Sequence, residues 1–443
     1  MRIFRLPAVF CQLRYKTKST DMTRRILLIP FIFYFTTTSA QQNSIQKFLS
    51  DSSMEHASVS LLIIDADNAN IIAEHDADKS LTQASVLKLI TTAASIELLG
   101  SDHTFSTTLG YSGSIKKGSG TLEGNIIIKG GGDPALGSEN FPHHYGDFIE
   151  KWAGEIVKLG IKKIRGRVLA DDSYFDYQPV PAKWTWEDIG NYWGAGVYGL
   201  SVFDNTLEIH FKTGSEGTVP VITDVRPSVT VIKFKNYLRA YGSKDNGYVF
   251  LPPYSNIGWI AGSIPADSAD FVLKASIPDP PLAIAQLLEK NLNEKGIKTD
   301  LEASTVRMLP ELQSDRIKIV SEIISPPLDS VITVLNKESI NLYAESLLKE
   351  LGKKIKGEGS TESGTEVVMK FLDRAGIKTD GMFILDGSGL SVQDAVNSRG
   401  IAMLLLYMKR NGKHFLDYYN SLPDAGKEGL LRIATRILFL IPD

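Results

Sequence analysis

The sequence predicts a mixed α/β (α+β) fold in which a large, mostly β insertion splits the main domain. Apolar residues recur at helical spacing in segments on both sides of the middle of the chain. Residues 101–310 differ, because they hold short strand-like runs with frequent Gly and Pro. A composition of 43% hydrophobic and 22% charged residues is that of a folded globular protein. It excludes a disordered, collagenous or polytopic membrane protein.

The amino terminus has the features of an export signal. Residues 26–35 form an unbroken apolar run that follows Arg24 and Arg25, and small residues continue to Ala40. This order of a charged, an apolar and a small-residue region is typical of a secretory signal, so residues 1–40 are predicted to be removed after Ala40. An apolar run of about half the bilayer-spanning length makes an uncleaved anchor the lesser alternative. We expect the true start at Met22.

The composition of the chain beyond residue 40 excludes several kinds of site. The single cysteine, Cys11, lies within the predicted signal. A disulfide scaffold, a Cys-ligated metal and a thiol nucleophile are therefore not expected. The remaining chain has 41 basic and 50 acidic residues, a net charge of −9, which provides no basic field for nucleic acid.

Two strands and a helix open this exported chain. Residues 58–64 and 70–74 are predicted strands joined by the turn Asp65–Ala69. Residues 84–99 then carry apolar positions at helical spacing, and Gly100 ends the predicted helix.

The rest of the chain is predicted to place a β-rich region between helical segments. The main domain comprises 41–105 and 311–443, and the inserted region 106–310 forms two small β-rich subdomains. Within and after the insertion we predict strands at 125–129, 248–252 and 316–320, and helices at 146–159, 282–296, 339–351, 361–376 and 398–410.

A serine and a lysine lie one helical turn apart at the start of the predicted helix 84–99. Ser85-Val86-Leu87-Lys88 has the pattern Ser-x-x-Lys, and i, i+3 spacing places the two side chains on one face, about 5–6 Å apart. An amine at that position can take the serine proton if burial lowers its pKa. The pattern is weak alone, because it recurs at Ser44–Lys47, Ser114–Lys117 and Ser346–Lys349.

A second short pattern, Ser-x-Asn, occurs at Ser339-Ile340-Asn341 at the head of another predicted helix. A hydroxyl can relay a proton, and an amide can orient a substrate carbonyl. The pattern also occurs at Ser138–Asn140, and helix capping by Ser339 is the alternative interpretation.

The ordered pair of patterns is the signature of the penicillin-interacting serine enzymes. The surrounding segments resemble one branch closely, the D-Ala-D-Ala carboxypeptidase/endopeptidase family of class C penicillin-binding proteins. The resembling segments are ASVLKLITTAASIELLG (84–100), GGGDPALGS (130–138), WTWEDIGNYWGA (184–195), GSIPADS (262–268), SPPLDSVITVLNKESINLYAESLLKELG (325–352), DGSGLS (386–391) and LPDAGKEG (422–429).

The resemblance implies a role for each matching residue. Ser85 would be the acylated nucleophile, Lys88 its general base, Ser339 a proton relay and Asn341 an orienting amide. The implied fold is a transpeptidase/β-lactamase-like domain split by the insertion. The implied location is the periplasm, and the implied partners are peptidoglycan stem peptides ending in D-Ala-D-Ala and β-lactams that acylate Ser85. No cofactor and no metal are implied.

The sequence departs from the family pattern at one point. The family carries a Lys-Thr/Ser-Gly motif on a strand after DGSGLS, where it binds the substrate carboxylate and contributes an oxyanion donor. Here Lys212-Thr213-Gly214 spells the tripeptide only inside the insertion. We therefore expect the last sheet strands to be missing through a frameshift or early stop near residue 430. Losing one oxyanion donor lowers the rate by about 10²–10³.

Other candidate sites are better explained as turns or as packing residues. Asp65–Asp76 lacks the Gly and Glu of a calcium loop, and Gly130–Gly132 lacks the lysine of a phosphate loop. The adjacent pair His143-His144 has the wrong spacing for a metal. Trp184 and Trp186 could stack on sugars, although core packing is the expected use.

The leading hypothesis is a serine D-Ala-D-Ala carboxypeptidase or endopeptidase that works through an acyl-enzyme. Two alternatives stay open: a catalytically inactive relative that binds peptidoglycan or a partner, and a truncated pseudogene product.

Overall fold

The computed structural model describes residues 42–228, 232–313, 316–424, 426–427 and 429. The predicted export signal, with Cys11, lies outside these residues, and so does almost all of the chain beyond residue 424.

Helices lie mainly in two parts of the chain, around residues 85–160 and after residue 280. They are α1 (42–49), α2 (Lys88–Leu99), α3 (Pro142–Tyr145), α4 (Phe148–Lys158), α5 (Pro280–Glu294), α6 (Leu328–Glu338), α7 (Asn341–Lys356), α8 (Thr361–Arg374), α9 (Ser398–Asn411) and α10 (Phe415–Ser421).

Strands are short and concentrate between residues 106 and 324. They are β1 (Leu61–Ile64), β2 (Ile71–His75), β3 (Ser80–Leu81), β4 (Ser106–Tyr111), β5 (Ser114–Lys116), β6 (Thr121–Glu123), β7 (Ile126–Lys129), β8 (Lys163–Ile164), β9 (Val168–Asp171), β10 (Thr206–Lys212), β11 (Val221–Arg226), β12 (Lys233–Asn236), β13 (Arg239–Ala240), β14 (Asn246–Phe250), β15 (Ile257–Ile264), β16 (Phe271–Ser276), β17 (Lys298–Thr299), β18 (Ser304–Thr305), β19 (Lys318–Ile324) and β20 (Val396–Asn397).

The strands form small sheets rather than one large one. A mixed five-stranded sheet has the order β18-β9-β7-β4-β19, and a mixed four-stranded sheet has the order β17-β8-β6-β5. An antiparallel sheet β11-β10-β16 and a sheet centred on β15, flanked by β12, β13 and β14, follow in the insertion. The strands β1 and β2 pair as the predicted hairpin.

Two large hydrophobic cores, and a small cluster of Ile127, Leu169 and Val306, hold the described elements together. The larger core contains the buried faces of α2, α6, α7, α8 and α9 and continues into the sheets around β7 and β9. A second core belongs to the insertion alone and includes Leu207, Ile209, Phe211, Val249, Ile260 and Leu273. Burial of apolar surface is what stabilises each unit, at roughly 25 cal/mol per Å².

The predicted α/β fold class is confirmed, and the predicted helices are present with small shifts in their bounds. The helix predicted at 84–99 begins as a 3₁₀ turn, Ala84–Leu87, before α2 continues it. The prediction missed α6, although its buried residues Leu328, Val331, Ile332 and Leu335 have helical spacing. Its Val, Ile and Thr residues lower helix propensity and concealed that signal. The domain boundaries stay a prediction.

Among the described residues, none of the helices has the length and apolar character that a membrane span requires.

Candidate active site

Ser85 and Lys88 lie at the junction between the 3₁₀ turn and α2. Ser85 is exposed, whereas the Lys88 side chain is only 2% exposed at the first position of α2. Most of α2 is buried, and its buried hydroxyls are hydrogen-bonded: the Thr92 hydroxyl donates to the Lys88 carbonyl at 2.7 Å, and the Thr91 hydroxyl donates to the Gly387 carbonyl at 2.7 Å. The turn therefore presents the serine outward and fixes the lysine beneath it.

The Lys88 ammonium group joins three elements. Its Nζ donates to Ser85 Oγ at 3.0 Å, to Asn341 Oδ1 at 2.6 Å and to the Ser388 carbonyl at 2.9 Å. The three acceptors use the three donors of a charged lysine. On losing one proton, the amine can accept from the Ser85 hydroxyl and still donate to the other two groups.

Asn341 is held in place from the opposite side. It is the first residue of α7, and its Nδ2 donates to the Trp193 carbonyl at 2.8 Å. Both ends of the amide are therefore engaged, so its oxygen is fixed toward Lys88. This contact also ties the inserted region to the site.

The loop 386–391 supplies the third acceptor for Lys88 and is organised around one buried carboxylate. Asp386 accepts the backbone N–H groups of Ser388, Gly389 and Ser391 at 2.7–3.1 Å. It also accepts the indole N–H of Trp184 at 2.8 Å. Four donors on one carboxylate lock the loop and the Ser388 carbonyl.

A second buried carboxylate, Glu345 of α7, supports the same loop. It accepts the N–H of Gly387 at 2.9 and 3.0 Å and that of Ser388 at 2.8 Å. Burial raises the pKa of Glu345 to about 8, with the nearby Asp386 adding to the shift and the three hydrogen bonds opposing it.

Burial lowers the pKa of Lys88 from 10.5 to about 8, and the nearby Glu345 and Asp386 carboxylates oppose the shift. Desolvation disfavours the charged form of an amine. At pH 7 about one-tenth of the amine is then neutral, compared with well under a thousandth at its ordinary pKa. The site therefore holds a hydroxyl next to an amine that can act as a base near neutral pH.

Ser339 lies close to this cluster but is not bonded to it. The residue ends α6 in the left-handed region, with φ 57° and ψ 42°. Within the described part of the chain its hydroxyl has no hydrogen-bond partner, and Ile340 rather than Ser339 is the N-cap of α7. Helix capping by the Ser339 side chain is therefore wrong as an explanation of the Ser-x-Asn pattern.

Two non-glycine residues flank the site in an unfavourable backbone conformation. Ala84 has φ 48° and Ser339 has φ 57°, and each costs about 1–2 kcal/mol relative to an ordinary conformation. Gly389 allows the loop 386–391 to approach Ala84, because a Cβ there would lie 1.9 Å from the Ala84 carbonyl oxygen. Strain of this kind persists where close packing imposes it.

A cavity of about 310 Å³ is lined by the Ser339–Asn341 segment, whereas Ser85 and Lys88 are not among its lining residues. Tyr192 and Trp193 from the insertion line one part of it, and Ser339 and Asn341 line another. Lys274 of β16 is the cationic residue among its lining groups. Ser339 and Asn341 therefore line a space that can hold a small molecule.

Another Ser-x-x-Lys copy and the Lys-Thr-Gly tripeptide have different surroundings. Lys349, of the copy at Ser346–Lys349, is buried and pairs instead with Asp176 at 2.6 Å. In Lys212-Thr213-Gly214, Lys212 ends β10, and the Thr213 hydroxyl accepts the N–H of Ser268 at 2.7 Å. That tripeptide therefore serves the inserted sheet.

The remaining candidates have structural partners. Asp65 accepts the N–H of Asp67 at 2.8 Å and forms the predicted turn between β1 and β2. The His144 ring bonds the Ile324 carbonyl, and no set of three His, Cys, Asp or Glu residues in the described ranges is placed to hold a metal. Trp184 is buried, as expected, whereas Trp186 is 49% exposed, so core packing was the wrong prediction for Trp186.

The sequence alone predicts no role for Asp386, Glu345 or the Ser388 carbonyl. The segment DGSGLS (386–391) is one of the segments that carry the family resemblance. Its signal is an acid followed by Gly and Ser residues, which favours a tight loop whose backbone N–H groups point inward. Only the folded chain shows that this loop faces Lys88.

The chain is similar to known proteins over most of its length. A family model described as the D-Ala-D-Ala carboxypeptidase 3 (S13) family matches residues 41–438. The chain is 26% identical over 372 residues to a D-alanyl-D-alanine carboxypeptidase of Actinomadura sp., covering 82% of this chain and 67% of that protein. It is 23% identical over 381 residues to the D-alanyl-D-alanine carboxypeptidase DacB of Haemophilus influenzae, covering 85% and 76%.

A solved structure shares the fold. The crystal structure of penicillin binding protein 4 from Haemophilus influenzae superposes with a TM-score of 0.71 at 22% identity, covering 84% of this chain and 79% of that one. A second structure of that protein, complexed with a β-lactam, superposes with a TM-score of 0.66 at 22% identity, covering 85% and 80%.

Proposed function

Because this chain belongs to the D-Ala-D-Ala carboxypeptidase 3 (S13) family, we propose that it is a serine-type D-Ala-D-Ala carboxypeptidase or endopeptidase. Its substrates are peptidoglycan stem peptides, and the protein is exported to the compartment that contains them. One observation carries the proposal: the buried Lys88 amine contacts both Ser85 Oγ and Asn341 Oδ1.

The reaction begins with proton transfer from Ser85 to neutral Lys88. The Ser85 oxygen then attacks the carbonyl carbon of the bond between the two D-alanines. The C–N bond breaks, the leaving amine takes a proton, and the acyl group stays on Ser85 as an ester. The Lys88 amine, neutral again after giving up that proton, then deprotonates a water molecule. This water attacks the ester, releases the shortened peptide and restores the Ser85 hydroxyl.

Asn341 orients the base, and Ser339 lines the cavity next to it. The Asn341 amide keeps the Lys88 amine directed at Ser85 through the 2.6 Å contact. Ser339 lines the adjacent cavity with an unbonded hydroxyl, which supports a role in passing the proton to the leaving amine. A β-lactam, whose cyclic amide imitates the scissile bond, acylates Ser85 in the same way.

Replacing Ser85 with alanine should abolish covalent labelling by a fluorescent penicillin, because the ester needs the Ser85 oxygen. Labelling is measured on denaturing gels with purified protein, and release of D-alanine from a D-Ala-D-Ala peptide is measured in parallel. Ser114→Ala, in an exposed copy of the same pattern, is the matched control and should label like the parent. A folded parent protein that takes no label would contradict the enzyme and favour an inactive binding relative.

The rate of penicillin acylation should rise with pH up to about pH 8 and then level off. The base is neutral Lys88, whose pKa lies near 8, so each pH unit below 7 should lower the rate about tenfold. The second-order acylation rate is measured by stopped-flow fluorescence between pH 5.5 and 9. A rate that stays constant or falls from pH 6 to pH 8 would exclude Lys88 as the base.

A further inference from the structure

One face of the sheet centred on β15 carries large aromatic side chains that are partly exposed to solvent. We define the aromatic face as Trp186, Phe250, Ile257 and Trp259 together with Lys233 and Lys235 of the neighbouring strand. Trp186 is 49% exposed, Trp259 is 37% exposed and Ile257 is 57% exposed. Contiguous exposed apolar groups of this size mark a binding surface rather than a core.

The rings lie together as a platform. The Phe250 and Trp259 rings are stacked, with centroids 5.3 Å apart and an interplanar angle of 15°. The Trp186 ring lies 5.8 Å from that of Trp259 and 6.3 Å from that of Phe250. The cross-strand pairing of Phe250 with Trp259 fixes this arrangement.

The opposite side of the same strands is already occupied. Val249 of β14 and Ile260 of β15 are fully buried in the second core. Side chains alternate between the two faces of a strand, so Phe250 and Trp259 point away from that core.

A chain of contacts links the candidate active site to the strand β14 that carries Phe250. Asn341 donates to the Trp193 carbonyl, and the Trp193 ring lies 6.2 Å from the Tyr248 ring, edge to face. Tyr248 precedes Phe250 by two residues on β14 and therefore shares its face. A polymer bound at Ser85 can extend along this path.

Two lysines border the rings. Lys233 pairs with Ile257 and Lys235 with Trp259 in the parallel ladder between β12 and β15, so their side chains share the aromatic face. Both residues are exposed. The face therefore combines exposed aromatic surface with positive charge.

We propose that the aromatic face binds the glycan strand of the peptidoglycan whose stem peptide is held at Ser85. Pyranose rings present flat C–H surfaces that pack on aromatic faces, where the negative π-cloud meets weakly positive hydrogens. The same polymer carries carboxylates on its stem peptides, and on lactyl groups from which the stem peptide has been removed, and these complement Lys233 and Lys235. This inference rests on the proposed function, since it extends the same substrate from its peptide to its glycan.

The test measures binding of glycan strands from which an amidase has removed the stem peptides. Calorimetric titration of the full chain with these strands should give a dissociation constant at least tenfold higher for Trp186→Ala/Trp259→Ala than for the parent. Tyr419→Ala removes a 52% exposed aromatic side chain on α10 and should leave the affinity unchanged. Far-ultraviolet circular dichroism verifies the fold of each variant.

Penicillin acylation separates this inference from the proposed function. The double variant should be acylated at the parental rate, because its substitutions do not touch Ser85, Lys88 or Asn341. If the parent takes no penicillin, the proposed enzyme fails, whereas glycan affinity still tests the face. An unchanged glycan affinity in the double variant overturns the inference. The inference also fails if sedimentation shows a dimer for the parent and a monomer for the double variant while the glycan affinity is the same, because the face would then join two copies of the chain.

Discussion

Replacing Lys88 with methionine should lower the rate of Ser85 acylation by penicillin by a factor on the order of 10³–10⁴. Methionine matches the length and flexibility of the buried stem but cannot accept a proton. It also leaves Asn341 Oδ1 and the Ser388 carbonyl without the donor that they now share. The acylation rate is measured with fluorescent penicillin at pH 8, where the parental base is about half neutral.

Lys349→Met is the matched control, because it makes the same substitution at a buried lysine in the same Ser-x-x-Lys pattern. Lys349 pairs with Asp176 and with the Gln178 carbonyl, so its loss should lower the free energy of unfolding by about 2 kcal/mol. The acylation rate of the folded variant should stay near the parental value. If both variants lost the same acylation rate, the loss would come from removing a buried lysine in general and not from removing a base next to Ser85.

Asp386→Asn should lower the free energy of unfolding by about 3–5 kcal/mol. The carboxylate accepts three backbone N–H groups and the Trp184 indole N–H, all in the buried interior. Asparagine keeps one acceptor oxygen, and its amide nitrogen would face donors. Urea unfolding followed by tryptophan fluorescence measures the change.

Asp380→Asn is the control for this substitution, since Asp380 is exposed a few residues earlier in the chain. Its effect should stay within about 0.5 kcal/mol. The Asp386 variant should also acylate more slowly, because the Ser388 carbonyl that holds Lys88 belongs to the same loop. A stable Asp386→Asn protein with parental acylation would show that the four contacts do not organise the site.

Local sequence patterns predicted most of the longer helices but only a minority of the described strands, and the site residues were predicted through the family resemblance. The helical spacing at 84–99 predicted α2, and the Asp- and Asn-rich turn predicted the hairpin of β1 and β2. The same rules missed α6, because β-branched residues weaken its helical signal and only packing on the main core stabilises it. Trp184 and Trp186 are two residues apart, yet one is buried against Asp386 and the other is exposed.

The sequence by itself determined the α/β class and the family to which the chain belongs, and it predicted a long β-rich insertion, because periodicity, composition and ordered motifs are properties of the chain alone. The Ser-x-x-Lys pattern does not distinguish its four copies, since i, i+3 spacing on a helix is the same at each; the resemblance to the family selected the copy at Ser85. Tertiary structure decided what surrounds that copy. Only at Lys88 does folding bring an amide from residue 341 and a carbonyl from residue 388 onto one amine and remove water from it, which lowers its pKa beside an exposed serine.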